Sequence, residues 1–381
     1  MLNTKKFGDT LLFKGINFFS GVPCSFLKNQ INYVSNETNY IMAPNEGDAV
    51  ALCAGAYLGG KTPAVLFQNS GLGNAVSPLT SLTHTFKIPL LGFVSLRGEP
   101  SLKDEPQHQL MGKITTKLLD EMDIQWAYLS NDETAAEQQL DLALATIKKG
   151  KTFFFIVKKN TFSKHALISK TISNNKNTHL YESFDIPKTA SLPQRSKILK
   201  TIIKHKNNQT IIFATTGYTS RELYSLHDNP THFYQIGSMG CISAIALGFS
   251  QAQPNKKIII LDGDGSLLMR MGNMPTMGYF GSKNICHILL DNSHHESTGS
   301  QPTISPHVNF GMIATASGYL NVHNTVTPKS LEKIIKEWLE TPSLTFIRQF
   351  IKTGISTPLP RPTITPEKQA QRLKEYVHNA P

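Results

Sequence analysis

Two short polar motifs, each directly after a run of aliphatic residues, carry the clearest chemical signal in this 381-residue sequence. A Gly-Asp-Gly triplet centred on Asp264 follows the run at 257–261, and an Asp-Asn pair ending in Asn292 follows the run at 286–290. If both runs are parallel strands joined by a helix, they end at the same edge of a sheet, where open α/β sheets bind ligands. One carboxylate and one amide oxygen at that edge, with nearby backbone carbonyl groups, form an oxygen donor set suited to Mg²⁺.

The glycines on either side of Asp264 add a second function to the first motif. Gly263 and Gly265 let the backbone approach phosphate oxygens closely and present N–H groups to them. A Gly-Asp-Gly triplet followed by an Asn pair is typical of thiamine diphosphate sites, with Asp291 here in place of the first Asn. Gly-Asp-Gly alone is more often a turn between strands, so the prediction of a magnesium and diphosphate clamp depends on both motifs together.

A glutamate in the first half of the chain supplies the group that such a cofactor needs at its other end. The segment Asn45–Asp48 follows a short predicted strand and opens a helix with small residues on its packing face. Alone, Glu46 is explained as a favourable first-turn residue, because the helix dipole stabilises a negative charge there. Thiamine enzymes, however, use one glutamate to hydrogen-bond the aminopyrimidine ring, from a domain separate from the diphosphate-binding domain. Considered together with Asp264, Glu46 is therefore predicted to activate the cofactor.

Alternating helix and strand patterns place these residues in two halves of the chain. The predicted fold class is α/β, with a doubly wound parallel sheet covered by helices on both faces in each half. The predicted domains are 1–165, which would bind the pyrimidine ring, and 195–381, which would bind the diphosphate, with a polar linker at 166–194. The predicted strands are Tyr40–Ala43, Ala64–Gln68, Leu90–Val94, Thr152–Val157, Thr210–Ala214, Lys257–Leu261, Cys286–Leu290 and Ser343–Gln349.

Composition limits the classes of protein that need to be considered. Hydrophobic residues make up 40% of the chain without a run of membrane-spanning length, which predicts a soluble globular protein. The amino-terminal spacing of Phe7, Leu11 and Ile16 is typical of an amphipathic helix rather than of a signal peptide. The 4 cysteines form no CxxC pair, which predicts buried free thiols and a cytoplasmic location.

The net charge of +11 has two explanations. A basic protein could bind nucleic acid through the phosphate backbone. Lys and Arg are spread along the chain, however, and no recognised nucleic-acid motif occurs, so a non-catalytic nucleic-acid-binding protein is the weaker alternative. An anionic cofactor and an anionic substrate would also favour a positive field, and small acidic molecules are the partners predicted here.

Motifs throughout the chain resemble those of one enzyme family. RGEPSLKDEPQH at 97–108 is the most specific of them, and NEGDAVALCAG at 45–55, QNSGLGN at 68–74 and DNSHHESTGSQPT at 291–303 agree with it. These segments resemble the phosphonopyruvate decarboxylases, small members of the thiamine diphosphate-dependent decarboxylase superfamily. The resemblance spans both halves apart from the linker and the tail. It implies a magnesium- and thiamine diphosphate-dependent carboxy-lyase that converts 3-phosphonopyruvate to phosphonoacetaldehyde and CO₂ in phosphonate biosynthesis.

The resemblance also implies contacts with the cofactor and the metal ion, residue by residue. Asp264 and Asn292 match the metal ligands, and the backbone carbonyl of His294 would be the third protein ligand. Met239 matches the bulky apolar residue beneath the cofactor, although its spacing alone fits an ordinary core methionine equally well. The carbonyl group of Gly237 would accept a hydrogen bond from the pyrimidine amino group. The complete set of predicted cofactor contacts is Glu46, Thr216, Gly217, Gly237, Ser238, Met239, Gly263, Asp264, Gly265, Ser266 and Asn292.

Recognition of the substrate is predicted to involve the loop at 97–108 and a serine near the amino terminus. A small oxo acid with a dianionic head group needs cationic or N–H donors at a fixed distance from the cofactor. Ser25 resembles a serine that contacts the substrate carboxylate in related decarboxylases. Without the resemblance, the loop would be interpreted as solvated and balanced in charge. The predicted substrate contacts are Ser25, Asn69, Arg97, Lys103 and His108, and the predicted catalytic residues are Glu46, Ser25 and His295.

Three positions in the second motif depart from the family pattern. Glu296 and Ser300 stand where Asp and Gly are expected, and Asp291 replaces the first Asn. Glu296 keeps a carboxylate but lengthens the side chain by one methylene, which could change the depth of the pocket near His295. These differences leave the exact substrate more open than the reaction type.

Other functions remain as alternatives. Sulfopyruvate, or another small anionic 2-oxo acid, would be decarboxylated by the same residues. Gly71 and Gly73 suggest a nicotinamide-binding fold, but the third glycine of that motif is missing. The pair His294–His295 has no matching Cys or His spacing for zinc.

Because Glu46 and the diphosphate site belong to separate domains, the resemblance implies complete sites between two subunits, and therefore at least a homodimer.

Overall fold

The structure is a computed structural model that describes residues 1–168, 191–207, 209–355 and 358–379. The chain divides into two units, residues 1–173 and 174–381, and each is described separately. Residues 169–190, which make up most of the predicted linker at 166–194, lie outside the described residues. The assignment of one unit to the pyrimidine ring and the other to the diphosphate stays a prediction.

The first unit alternates strands and helices along the chain. Its strands are β1 (Phe18–Gly21), β2 (Ile41–Met42), β3 (Pro63–Gln68), β4 (Leu91–Ser95), β5 (Gln125–Tyr128) and β6 (Phe153–Val157), and its helices are α1 (Thr4–Phe13), α2 (Lys28–Glu37), α3 (Glu46–Leu58), α4 (Leu72–Pro78), α5 (His84–Phe86), α6 (Gln109–Glu121) and α7 (Glu133–Lys148). The strands form a six-stranded sheet in the order β2-β1-β3-β4-β6-β5, with parallel pairing throughout. The chain order reverses between β1 and β3, so a ligand site is expected at the carboxyl ends of these strands.

The second unit repeats this architecture. Its strands are β7 (Ile211–Ala214), β8 (His232–Tyr234), β9 (Ile258–Gly263), β10 (Ile285–Asp291), β11 (His294–His295), β12 (Gln301–Pro302), β13 (Asn321–Thr325) and β14 (Thr345–Phe350), and its helices are α8 (Arg195–His205), α9 (Tyr218–Leu226), α10 (Ile242–Ala252), α11 (Asp264–Met269), α12 (Asn273–Phe280), α13 (Phe310–Ala316), α14 (Pro328–Glu340) and α15 (Pro366–Asn379). A parallel six-stranded sheet has the order β13-β14-β10-β9-β7-β8, and β11 and β12 form a separate antiparallel hairpin. Here the chain order reverses between β7 and β9, next to the Gly-Asp-Gly motif.

The predicted α/β fold class with two parallel sheets is confirmed, and each predicted strand is present with its ends shifted by a few residues. The prediction missed β1, β5, β8, β11, β12 and β13. The apolar spacing predicted a helix as far as Ile16. In the structure α1 ends at Phe13, and Ile16 lies between this helix and β1. The central strands were predictable because both of their faces are covered, which makes them nearly continuous apolar runs.

The interior of each unit is apolar and contains the cysteines. Cys24, Cys53, Cys241 and Cys286 are buried and free, as predicted. In the part of the chain that the structure describes, no helix is both long enough and apolar enough to cross a membrane.

Candidate active site

Asp264 and Asn292 lie at the carboxyl ends of two neighbouring strands. β9 and β10 pair in parallel, with Gly263 beside Leu290, so the residues that follow them reach the same edge of the sheet. Both side chains line one pocket in the second unit. Of the predicted site residues, those lining this pocket are Thr216, Met239, Gly263, Asp264, Gly265, Ser266, Asn292, His294 and His295.

The carboxylate of Asp264 is buried, with 2% of the residue exposed. Burial raises the pKa of Asp264 to about 6, and the nearby charge of Asp291 acts in the same direction, although the hydrogen bond from Thr303 opposes them. Thr303 Oγ1 donates to Asp264 Oδ2 at 2.5 Å. A hydroxyl group is a neutral donor and does not compensate the charge of the carboxylate. A divalent cation would do so, and Asp264 therefore fits a metal ligand.

Asn292 lies in a tight turn between β10 and β11. Ser293 has a φ of 61°, which turns the chain back toward the pocket. The backbone N–H of His294 donates to Asn292 Oδ1 at 3.0 Å, and Asn292 Nδ2 donates to Glu296 Oε2 at 2.8 Å. His295, also in the pocket, packs against Gly265, where a Cβ atom would lie 2.2 Å from Cε1 of the ring. Glycine at 265 therefore makes room for His295.

A buried ion pair anchors the start of this turn. Arg348 on β14 donates to Asp291 Oδ2 from Nε at 2.8 Å, and its Nη2 lies 2.6 Å from the same oxygen. Ser305 Oγ donates to that oxygen as well, and the N–H of Ser293 donates to Asp291 Oδ1 at 3.0 Å. The Asp that departs from the family pattern therefore has a local explanation: it neutralises Arg348 and fixes both ends of the segment 293–305.

The segment 237–240, which contains Met239, is held in a strained conformation. Gly237, Ser238 and Gly240 have φ values of 66°, 42° and 91°, in the left-handed region that favours glycine. Gln235 Nε2 donates to the carbonyl oxygen of Ser238 at 2.5 Å. Gln235 therefore fixes one end of this segment. Met239 would need such a fixed backbone if its bulky side chain supports a cofactor.

A hydroxyl group fixes the other end of the same segment. The N–H of Gly240 donates to Ser266 Oγ at 3.2 Å, and Ser266 Oγ lies 3.0 Å from Thr215 Oγ1. Ser266 follows the Gly-Asp-Gly motif, and Thr215 follows β7. Thr216 and Gly217, which were predicted to contact the cofactor, continue from Thr215 into α9.

Glu46 opens α3 in the first unit, and Asn45 caps that helix by accepting a hydrogen bond from the N–H of Asp48 at 3.0 Å. Asn74 Nδ2 donates to Glu46 Oε2 at 2.8 Å. Gly71 lies against the other side of the carboxylate. The Gly-Leu-Gly-Asn segment is therefore the support of Glu46 rather than a nucleotide-binding loop.

Two of the predicted substrate contacts lie together at the carboxyl ends of β1 and β4. Arg97 Nη1 donates to Ser25 Oγ at 3.2 Å, and its guanidinium group lies over the Phe26 ring at 4.7 Å from the centroid. Asp104 accepts two hydrogen bonds from Arg97, at 2.7 Å from Nε and 2.5 Å from Nη2. These bonds hold the pKa of Asp104 well below its usual value. The guanidinium group is therefore fixed in one orientation beside Ser25.

The other predicted substrate residues lie in different environments. Asn69 is fully buried, and it bonds to the backbone of Arg97 through both Nδ2, at 2.9 Å, and Oδ1, at 3.2 Å. Its Nδ2 also donates to Thr115 Oγ1 at 3.0 Å, so in this structure it supports the Arg97 loop. Lys103 is exposed on that loop, whereas His108 is buried. Direct contact of Asn69, Lys103 or His108 with the substrate stays a prediction.

Several residues that support the site were not predicted. Thr303, Asn74 and Ser305 lie inside or next to motifs that the sequence already identified, so a search around those motifs for hydroxyl and amide side chains would find them. Arg348 and Gln235 carry no such signal, because the residues they contact are brought to them only by the fold.

Comparison with known proteins identifies the family of this chain. The family model for the C-terminal TPP binding domain of thiamine pyrophosphate enzymes matches residues 214–348. The chain is 35% identical over 370 residues to the phosphonopyruvate decarboxylase of Streptomyces viridochromogenes, covering 96% of this chain and 93% of that protein. It is 34% identical over 365 residues to the phosphonopyruvate decarboxylase of Streptomyces hygroscopicus, with 95% and 90% covered.

Two less similar proteins are also decarboxylases. The sulfopyruvate decarboxylase of Methanosarcina acetivorans is 28% identical over 378 residues, covering 95% of this chain and 94% of that protein. The crystal structure of benzoylformate decarboxylase from Polynucleobacter necessarius superimposes with a TM-score of 0.73 at 13% identity, covering 94% of this chain and 100% of that chain. The structural likeness shows the fold alone. With identities near 35% over almost its whole length, the chain belongs to the phosphonopyruvate decarboxylase family of thiamine diphosphate-dependent enzymes.

Proposed function

We propose that this enzyme decarboxylates 3-phosphonopyruvate to phosphonoacetaldehyde and CO₂, with thiamine diphosphate and Mg²⁺, as a cytoplasmic step of phosphonate biosynthesis. The observation that carries the choice of substrate is the higher identity to phosphonopyruvate decarboxylases than to the sulfopyruvate decarboxylase, over a similar length of chain. Sulfopyruvate, or another small anionic 2-oxo acid, is the second candidate, since the same residues could bind a different anionic head group.

The metal and the diphosphate would be held in the second unit. Asp264, Asn292 and the backbone carbonyl of His294 would supply oxygen ligands to Mg²⁺, leaving positions for diphosphate oxygens. Gly263 and Gly265 would allow the diphosphate to approach the backbone closely. The buried, uncompensated carboxylate of Asp264 supports this assignment, because a cation would remove the cost of its burial.

Activation of the cofactor would depend on the first unit. When bound, thiamine diphosphate supplies a nucleophilic carbon and an electron sink for the loss of CO₂. Glu46 would hold a proton at the pyrimidine ring, with Asn74 and Gly71 fixing the position of its carboxylate. Met239 would support the cofactor from below, and the Gly237 carbonyl would accept a hydrogen bond from its amino group.

The substrate would be oriented by Ser25 and Arg97, with His295 near the reacting carbon. Arg97 offers planar N–H donors that match a phosphonate or carboxylate group, and its contact with Phe26 and Asp104 limits its movement. Ser25 would contact the substrate carboxylate. We also propose a homodimer as the smallest active unit, which the molar mass measured by light scattering would test.

The experiment that tests the reaction is release of CO₂ from phosphonopyruvate or sulfopyruvate by the protein supplied with thiamine diphosphate and Mg²⁺. A higher kcat/KM for phosphonopyruvate is expected, and a higher value for sulfopyruvate would reassign the substrate. Release from neither would refute the proposed decarboxylation of these two acids. Glu46→Gln should retain cofactor binding but lose most turnover, whereas Glu37→Gln, a change on the exposed end of α2, should retain both.

A further inference from the structure

We propose that Glu296 fixes the orientation of the Asn292 side-chain amide, so that its oxygen and not its nitrogen faces the metal ion. Glu296 would therefore act as a positioning residue and not as a metal ligand. The inference rests on the metal site proposed above and adds to it the residue that gives Asn292 its correct orientation.

The two neighbours of the Asn292 amide agree on one orientation. Nδ2 lies 2.8 Å from Glu296 Oε2, and Oδ1 lies 3.0 Å from the backbone nitrogen of His294. A carboxylate can only accept a hydrogen bond, and a backbone N–H can only donate one. A flipped amide would bring two acceptors together at Glu296 and two donors together at His294. Mg²⁺ takes oxygen ligands, so the flipped amide would also present the wrong atom to the metal.

Glu296 is itself held on both carboxylate oxygens. Oε2 accepts hydrogen bonds from Asn292 and from Arg195 Nη2, and Oε1 accepts one from the N–H of Gly354. The side chains of Glu296 and Arg195 are 8% and 5% exposed, so Arg195 compensates a charge that has little contact with water. These contacts distinguish Glu296 from Asp264, whose carboxylate has a neutral partner and fits a cation directly.

A second glutamate provides a matched control. Glu222 lies 3.3 Å from Arg195 Nη1 and is as buried as Glu296, with 4% of its side chain exposed. It shares Arg195 with Glu296, but it accepts its hydrogen bond from Arg195 Nη1 and not from the Asn292 amide. Changing Glu222 therefore alters the charge around Arg195 while the hydrogen bond to Asn292 is retained.

Metal affinity is the measurement that tests the inference. Mn²⁺ binding would be followed by electron paramagnetic resonance in the presence of thiamine diphosphate, for the wild-type protein and for Glu296→Gln, Glu222→Gln and Asp264→Asn. A glutamine side chain can donate or accept, so it no longer selects one amide orientation, and Glu296→Gln should weaken binding about tenfold. Glu222→Gln should bind Mn²⁺ as the wild-type protein does.

Exchanging the amide and the carboxylate between positions 292 and 296 distinguishes the proposed role of Glu296 from a purely structural one. Asn292→Asp alone places a second carboxylate against Glu296 and should weaken Mn²⁺ binding. Asn292→Asp/Glu296→Gln restores a donor facing an acceptor, with an oxygen still directed to the metal, and should bind more tightly than Asn292→Asp. If Glu296→Gln melts too low for binding measurements, the comparison of Asn292→Asp with the double variant decides.

The outcomes separate the inference from the metal site on which it rests. Loss of Mn²⁺ binding in Asp264→Asn together with unchanged affinity in Glu296→Gln would overturn the role of Glu296 and leave the metal site in place. A double variant that binds no better than Asn292→Asp would overturn it as well. Unchanged binding in Asp264→Asn would overturn the metal site itself, and the inference with it.

Discussion

Gly71 lies directly against the carboxylate of Glu46, and a Cβ atom on Gly71 would lie 2.0 Å from Oε1 of the glutamate. The φ of Gly71 is −81°, which any residue can adopt, so the space beside Glu46 and not the backbone conformation requires glycine there. Asn74 bonds the other oxygen at 2.8 Å. The carboxylate is therefore confined between an amide that binds it and a glycine that makes room for it.

Gly71→Ala should lower turnover strongly, because the methyl group must displace the Glu46 carboxylate. A displacement near 1 Å of a reacting group costs about 100-fold in rate, and kcat at saturating cofactor measures it. Gly73→Ala is the control, since no atom other than those of its chain neighbours and its own helix backbone lies within 4 Å of the added methyl group. It should retain activity and gain up to about 1 kcal/mol in the free energy of unfolding. Equal activity of the two variants would show that Glu46 does not need this position.

Arg348→Met should lower the free energy of unfolding by about 3–5 kcal/mol, because it leaves the buried carboxylate of Asp291 without its cation. Asp291→Asn/Arg348→Met removes both charges and should lose less stability than Arg348→Met. Denaturant titration measures the free energy of unfolding of the wild-type protein and of each variant. Lys333 and Glu337 form an exposed pair, with 78% and 60% of their side chains accessible, so Lys333→Met should cost less than about 1 kcal/mol. A double variant as unstable as Arg348→Met would refute the charge argument.

Gln235→Leu should weaken thiamine diphosphate binding, since it removes the amide that holds the strained Ser238 carbonyl. The loss of one neutral hydrogen bond, about 1 kcal/mol, corresponds to roughly a fivefold increase in the cofactor dissociation constant. Tryptophan fluorescence titration would measure that constant. Gln251→Leu loses a comparable bond, to the Phe280 carbonyl at 2.7 Å, and should bind the cofactor normally. Equal affinity in both variants would contradict a role for Gln235 in the segment 237–240.

Stability should fall as the pH is lowered below 6.5, in part because of His232. Burial lowers the pKa of His232 to about 3, with the charges of Lys206 and His227 acting in the same direction. Between about pH 6.5 and pH 3 the unfolded chain binds a proton at this position and the folded protein does not, so acid favours unfolding by up to about 1.4 kcal/mol per pH unit. Denaturation of His232→Phe between pH 7 and pH 5 should show a shallower slope. The exposed His307→Phe should leave the slope unchanged, and a wild-type slope in His232→Phe would exclude this source.

The central part of each sheet was predictable because parallel strands covered on both faces are written as aliphatic runs. Three of the four edge strands, β5, β8 and β13, were not predicted, and neither was β1, an interior strand of only 4 residues. β5 and β13 have partly exposed, mixed side chains, and β8 has only 3 residues, so none of them shows an apolar run. Local pattern therefore identifies the longer strands in the middle of such a sheet, because both of their faces are buried.

The reacting groups were also predictable, but their supports were not. Asp264 and Asn292 belong to local motifs whose spacing follows from one strand-helix-strand unit. Arg195 contacts Glu296 across 101 residues of chain, and Arg348 contacts Asp291 across 57. A single sequence contains no periodic signal for contacts of this kind, because they depend on how the helices and strands pack.

The pairing of Arg97 with Asp104 has a consequence for how anions reach the first unit. The guanidinium group carries its own internal counterion, so the Arg97–Asp104 pair as a whole has no net charge. An incoming dianion would meet an arrangement of oriented N–H donors rather than a long-range attractor. Selection would then follow the shape of the head group more than its charge, and KM should vary little between low and physiological ionic strength.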